Sequence, residues 1–97
     1  MLYLPISLDV SSRPCLVVGG GPVAFQKARN FFHAGAKLIG VSPDFGPEFG
    51  ELEPFERRVR AFVPEDLEGM AAVVAATDDP MCNAAVAAGC RASNIPC

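Results

Sequence analysis

The chain has 97 residues, 51% of them apolar, which is enough for one modest core and too few for two domains. Its formal net charge of −3 argues against nucleic acid or an anionic membrane as the main partner, since both recruit clustered Lys and Arg. No apolar stretch reaches the roughly 20 residues that a bilayer requires, and the N-terminus lacks a signal-peptide pattern, so a cytoplasmic location is expected.

Residues Leu2 to Val10 are apolar but contain Pro5, which predicts an extended arm or edge element ended by the turn-like Ser11-Ser12-Arg13-Pro14. Cys15-Leu16-Val17-Val18 follows as an unbroken apolar run, the pattern of a strand covered on both faces of a parallel sheet. It runs into Gly19-Gly20-Gly21. From Pro22 the spacing becomes helical, with Ala24, Ala28, Phe31 and Phe32 on one side and Gln26, Lys27, Arg29 and Asn30 mostly on the other. Pro22 suits the first helical position and Gly35 a stop. Lys27 and Arg29 read as a solvated face.

Leu38-Ile39-Gly40-Val41-Ser42 predicts a second buried strand, closed by Pro43 and Asp44, so that strand, helix and strand make a βαβ unit. Phe45 to Glu56 reads as a loop with one irregular helical turn. Arg58 to Val63 alternates polar with apolar, as a half-exposed strand nearer the sheet edge would. Arg57, Arg58 and Arg60 there suit either an acidic ligand or a charged strand edge. Pro64 to Gly69 resembles an acidic-capped helical turn, Ala72 to Ala76 a third buried strand, and Asp79-Pro80 the cap and first residue of a helix reaching about Ala92. The alanines Ala84, Ala85, Ala87 and Ala88 would let that helix lie close to the sheet. Ser93 to Cys97 resembles the approach to a further buried strand, so the sequence is expected to be part of a longer protein, cut before its fifth main strand.

The four cysteines, Cys15, Cys82, Cys90 and Cys97, form no C-x-x-C pair, and the one histidine, His33, is remote from them in sequence. They are expected to be small thiols, buried for the most part, and no metal site is expected.

The strand-glycine-helix junction is where chemistry is expected. A pyrophosphate needs backbone N–H donors at close range and a positive field, and a helix N-terminus supplies both where no side chain blocks the approach. Gly19 can make the tight turn, Gly21 admits the backbone to the phosphates, and Ala24 lets helix and strand pack closely. This is the G-x-G-x-x-A form of the dinucleotide fingerprint, and its setting predicts an α/β Rossmann-type NAD(P)-binding fold, a parallel sheet with helices on both faces. Three successive glycines would be costly in a purely structural turn.

An acid about twenty residues beyond the glycines would meet the adenosine ribose and favour NAD over NADP. Asp44 is the candidate, with turn formation after Pro43 as the alternative. In strand order 3-2-1-4, Thr77 and Asp78 would overlook the crevice, unless one of the aspartates serves as a helix cap.

Tyr3-Leu4-Pro5, the Cys15 to Lys27 segment, Gly35-Ala36, Ser42-Pro43 and Ala75-Ala76-Thr77-Asp78-Asp79 with Asn83 beyond resemble the N-terminal domain of the sirohaem synthase family, the precorrin-2 dehydrogenases and sirohydrochlorin ferrochelatases. The resemblance spans almost the whole chain. It implies NAD-dependent dehydrogenation of precorrin-2 to sirohydrochlorin, iron insertion in some members, and a homodimer with the tetrapyrrole near its interface. Carried over by position, the cofactor contacts are Pro22 and Val23 at the glycine turn, Ser42, Pro43 and Asp44 after the second strand, and the Thr77 region. Pro22 stands where the family commonly has an acidic or polar residue, which removes one side-chain contact. The family's catalytic aspartate would lie beyond Cys97, so no residue here inherits that role. A non-catalytic NAD(H)-sensing regulatory module is the alternative that the same fold allows.

Overall fold

The computed structural model describes residues 9–97, and all but the last two residues of the expected N-terminal arm lie outside them, as does Tyr3-Leu4-Pro5. Strand β1 (Pro14–Val18) leads to helix α1 (Pro22–His33), strand β2 (Lys37–Ser42) and a 3-10 turn (Pro47–Glu51). Strand β3 (Glu56–Val59), a second 3-10 turn (Pro64–Leu67), strand β4 (Ala72–Ala75) and helix α2 (Pro80–Ala92) follow. The strands form one parallel sheet in the order β3-β2-β1-β4, the order expected from the sequence.

The unbroken apolar run of β1 is explained by its central place. Leu16 pairs in register with Ile39 on one side and Val73 on the other, and Cys15, Leu16, Val17 and Val18 are at most 2% exposed. Alternate residues point to opposite faces of a strand. Leu16 and Val18 therefore join Ile39, Val41, Val73 and the α2 residues Val86 and Cys90 in one core, while Val17 joins Leu38 and the α1 residues Ala24 and Ala28 in the other. The helices thus cover opposite faces. Full burial of each such aliphatic side chain stabilises the fold by about 1.5–3 kcal/mol relative to exposure. Burial also pushes the thiols of Cys15 and Cys90 up, Cys90 to about 11 with Cys97 beside it.

Helix α1 stops at Gly35 for a backbone reason. Gly35 has φ +81°, and the N–H groups of Gly35 and Ala36 donate to the carbonyls of Phe32 and Phe31, which closes a Schellman motif.

Two expectations need correction. The strand expected over residues 58–63 lies at Glu56–Val59, because the pull of Asp66 turns the chain away after Val59. Asp66 is 1% exposed; its carboxylate accepts from both guanidinium nitrogens of Arg60 at 2.6 and 2.8 Å, from Arg58 at 3.1 Å and from the Val63 N–H at 2.9 Å. Burial alone would raise its pKa, but the bonds from Arg60, Val63 and Arg58 outweigh it and hold the carboxyl below its usual range. Arg58 consequently points inward and Val59 is 66% exposed, the reverse of an apolar-in alternation.

The second correction concerns α2. Val86 and Cys90 face the sheet, and Gly89 is where the helix meets its neighbour: a Cβ there would lie 2.5 Å from Leu67 Cδ1. Ala84, Ala85 and Ala88 are exposed and only Ala87 is half-buried, so three of the four alanines face away from the sheet.

Candidate functional site

The crevice opens at the C-terminal ends of β1, β2 and β4, where the order of the strands reverses. Gly19, Gly20, Gly21, Pro22, Val23, Ser42, Asp44, Ala76, Thr77 and Asp78 line a cavity of about 300 Å³. Nine of the ten residues expected from the sequence are therefore together. Pro43 is the tenth, and it lines an adjoining cleft with Val18, Phe62, Thr77 and Cys82.

The three glycines serve three different purposes. Gly19 has φ +131°, and a Cβ on it would lie 2.5 Å from the Ala76 carbonyl oxygen and 3.2 Å from Ala24 Cβ, so it is the close contact between β1, β4 and α1. Gly20 is held against the loop after β2: a Cβ would overlap the Asp44 carbonyl oxygen, and its own carbonyl accepts the Gly46 N–H at 2.8 Å. Gly21 has ordinary extended backbone, φ −92°, and a Cβ on it would meet nothing within 4 Å. Nothing among the described residues requires glycine there, whereas a ligand approaching the backbone would.

Helix α1 begins at this spot without a cap. Gly21 offers no side chain, Pro22 fills the first position, and the first turn carries no acid. Phe25 N–H bonds back to the Gly21 carbonyl at 2.9 Å, while the N–H groups of Val23 and Ala24 have no partner among the described residues. Uncapped N–H donors at the positive end of a helix dipole, opening on a cavity, make an anion cradle. No Lys or Arg lines the cavity, so the backbone must supply the positive field. A dinucleotide pyrophosphate fits these residues.

The walls differ in how they are held. After β2, Ser42 Oγ accepts the Asp44 N–H at 3.4 Å, which leaves the Asp44 carboxylate without a hydrogen bond among the described residues. The turn is thus made by Ser42 rather than by Asp44. After β4, Asn83 clamps Thr77: its Oδ1 accepts from Thr77 Oγ1 at 2.6 Å and from Thr77 N–H at 3.2 Å, and its Nδ2 donates to the Thr77 carbonyl at 3.0 Å. Asp79 is the cap of α2, with Oδ1 accepting the Met81 N–H at 2.9 Å. Asp78 is exposed and makes no hydrogen bond among the described residues.

Sequence reasoning did not assign this role to Asn83. The signal was the six-residue step from a strand-end Thr, across a helix cap, to an amide on the first turn of the helix. The arginines expected either to attract an acidic ligand or to line a strand edge serve the latter purpose. Arg58 and Arg60 bind Asp66, and Arg57 pairs with Glu53 at 3.4 Å and lies over the Phe55 ring. Lys27 and Arg29 are exposed on α1, Arg29 over the Phe25 ring. Among the described residues, no helix is long and apolar enough to cross a membrane.

Comparison with known proteins agrees with this geometry. The family model NAD_binding_7, described as NAD(P)-binding, matches residues 6–97. The chain is 42% identical over 97 residues to a siroheme synthase of Ectopseudomonas mendocina, covering 99% of the chain and 21% of that protein. It is 48% identical over 87 residues to siroheme synthase 2 of Aeromonas salmonicida, covering 89% of the chain and 18% of that protein. The chain therefore spans about a fifth of the length of these curated relatives. Among solved structures, SirC, a precorrin-2 dehydrogenase, superposes with TM-score 0.77 at 30% identity, over 84% of this chain and 43% of that one. The chain belongs to the NAD_binding_7 family of NAD(P)-binding domains, in the form that siroheme synthases carry.

Proposed function

We propose that this domain holds the cofactor of an NAD-dependent precorrin-2 dehydrogenase, which makes sirohydrochlorin on the route to sirohaem. The observation that carries the reading is Gly21: a glycine with free space in place of its missing side chain, at an uncapped helix N-terminus, within a family of siroheme synthase relatives. When bound, the nicotinamide accepts a hydride from the reduced macrocycle. The chain's own part is to bind and orient. Val23 and Ala24 N–H groups and the Gly21 backbone take the pyrophosphate, Asp44 takes the adenosine ribose, and Thr77, fixed by Asn83, lines the nicotinamide half together with Asp78. Pro22, Val23, Ser42 and Pro43 complete the contact surface.

The free carboxylate of Asp44 favours NAD over NADP, because a 2′-phosphate would meet like charge there. The proposal extends to the whole protein: a cytoplasmic homodimer acting on a tetrapyrrole, with iron insertion, where it occurs, carried outside this domain. An anaerobic assay of the intact protein that carries this domain, with precorrin-2 and NAD, tests it. NADH formation that depends on both is the expected result. Tight NAD binding with no turnover would overturn the dehydrogenase reading and leave a nucleotide sensor.

A further inference from the structure

We propose that Asp78 makes the crevice discriminate between the two oxidation states of its cofactor, holding the oxidised, cationic nicotinamide in preference to the reduced, neutral ring. The inference rests on the dinucleotide reading above.

The direction of the ligand follows from the sheet. Past β1, at the centre, lies the pyrophosphate cradle; past β2 lies Asp44 and past β4 lies Asp78, both lining the same cavity. A dinucleotide with its adenosine ribose on Asp44 must extend its other half across the β1/β4 boundary, towards Thr77 and Asp78.

The local bonding singles out Asp78. Thr77 and Asn83 satisfy each other, and Asp79 is committed to capping α2, so these polar groups belong to the scaffold. Asp78 is the one acid of that segment with no hydrogen bond among the described residues, and no Lys or Arg lines the cavity to neutralise it. Structure alone does not require a carboxylate at this position.

The two forms of the cofactor differ by a hydride, two electrons and a proton, which converts a ring of charge +1 into a neutral dihydropyridine. The pyrophosphate charge is the same in both forms, so its repulsion by Asp78 cancels in the ratio of affinities, and the attraction for the cationic ring remains. A single carboxylate near the ring in a partly exposed crevice shifts that ratio by about threefold to tenfold. The consequence suits an enzyme that collects hydride, since the reduced cofactor leaves more readily than the oxidised one.

The test is to measure dissociation constants for NAD+ and NADH on the purified wild-type protein and on Asp78→Asn, Asp78→Lys and Asp44→Asn. The expected result is that the NADH-to-NAD+ ratio of dissociation constants falls by about threefold to tenfold in Asp78→Asn and further in Asp78→Lys, while in Asp44→Asn it stays at the wild-type value. Unfolding midpoints that match the wild type establish that the variants are folded. Both cofactors bound, with an unchanged ratio in the two Asp78 variants, would overturn the inference and leave the binding reading intact. A wild-type protein that binds neither form would overturn the binding reading, and the inference with it.

Discussion

Gly20 and Asp44 are in contact through their backbones, so closely that the carbonyl oxygen of Asp44 occupies the space where any larger residue at position 20 would place its Cβ. This contact, with the Gly46 N–H to Gly20 carbonyl bond, docks the loop after β2 onto the turn after β1. Gly20→Ala must therefore displace a backbone segment. The expected loss is about 1–3 kcal/mol of stability, as for overpacking of a tight interior contact, with cofactor affinity falling as Asp44 moves. Urea unfolding reads the first effect and calorimetric titration with NAD the second.

Gly21 is the contrasting case. With nothing within 4 Å of its missing Cβ, Gly21→Ala should change stability by only about 0.5 kcal/mol, the difference between glycine and alanine as helix caps. The same methyl group would stand between the pyrophosphate and the helix N-terminus, so NAD affinity should fall about tenfold or more. Neighbouring glycines with opposite signatures, one structural and one ligand-directed, distinguish a cofactor cradle from a merely tight turn. Equal stability losses with no change in binding would show that the turn is structural throughout.

Much of this was legible in the sequence, and the reason is that the decisive patterns are local. A strand buried on both faces reads as an unbroken apolar run, hence β1 and β2; β4 carries the same kind of run but is buried only at Ala72 and Val73, since it stands at the end of the strand order. A proline at the first helical position and a glycine past the last bracket α1. What escaped depends on groups that meet only after folding. The end of β3 is set by Arg58 and Arg60 reaching Asp66, eight and six residues on, and no alternation of polar with apolar residues records that. Phe49, fully buried under the loop after β2 with Phe25, Phe45 and Phe55 around it, sits in a stretch whose prolines and glycines announce only a loop. At the site, the fingerprint located Gly19, Gly21 and Ala24, but the need for Gly20 comes from Asp44, a contact made across the sheet.

Asp66 predicts an acid sensitivity. Its carboxyl is held below its usual range in the folded chain, so its contribution to stability is complete above the unfolded value and is lost as pH falls through the folded one. Asp66→Asn should cost about 1.5–3 kcal/mol near pH 6, the value of hydrogen bonds to a charged group, and less near pH 3, below the ordinary carboxylate value of about 3.9, where the unfolded chain binds the proton more readily than the folded one. Denaturant melts of both proteins at the two pH values measure this. A gap between them that does not narrow in acid would show that side-chain size rather than charge is what matters at Asp66.

Asn83 and Asp79 separate two kinds of support for the β4 wall. Asp79→Ala removes a helix cap and should cost about 1 kcal/mol with little effect on NAD binding. Asn83→Ala removes both the acceptor and the donor that fix Thr77, so it should lower stability by a similar amount and weaken NAD binding about threefold to tenfold as well. Paired thermal melts and NAD titrations check the split, and an Asn83→Ala protein that binds NAD as the wild type does would remove the positioning role.

Asp44 bears on the choice of cofactor. Because Ser42 supplies the side-chain oxygen of the turn, the Asp44 carboxylate is available to a ribose and its loss should not disturb the backbone. Asp44→Ala should therefore leave the unfolding midpoint near that of the wild type, lower NAD affinity by about three- to thirtyfold through loss of a charged hydrogen bond, and improve NADP affinity relative to NAD by removing like-charge repulsion. The outcome depends on both halves of that comparison. A lower NAD affinity with no gain for NADP would mean that the carboxylate binds ribose without selecting between the cofactors. Unchanged affinity for both would mean that the acid after β2 stands outside the site, and that the adenosine end of the crevice is held by backbone alone.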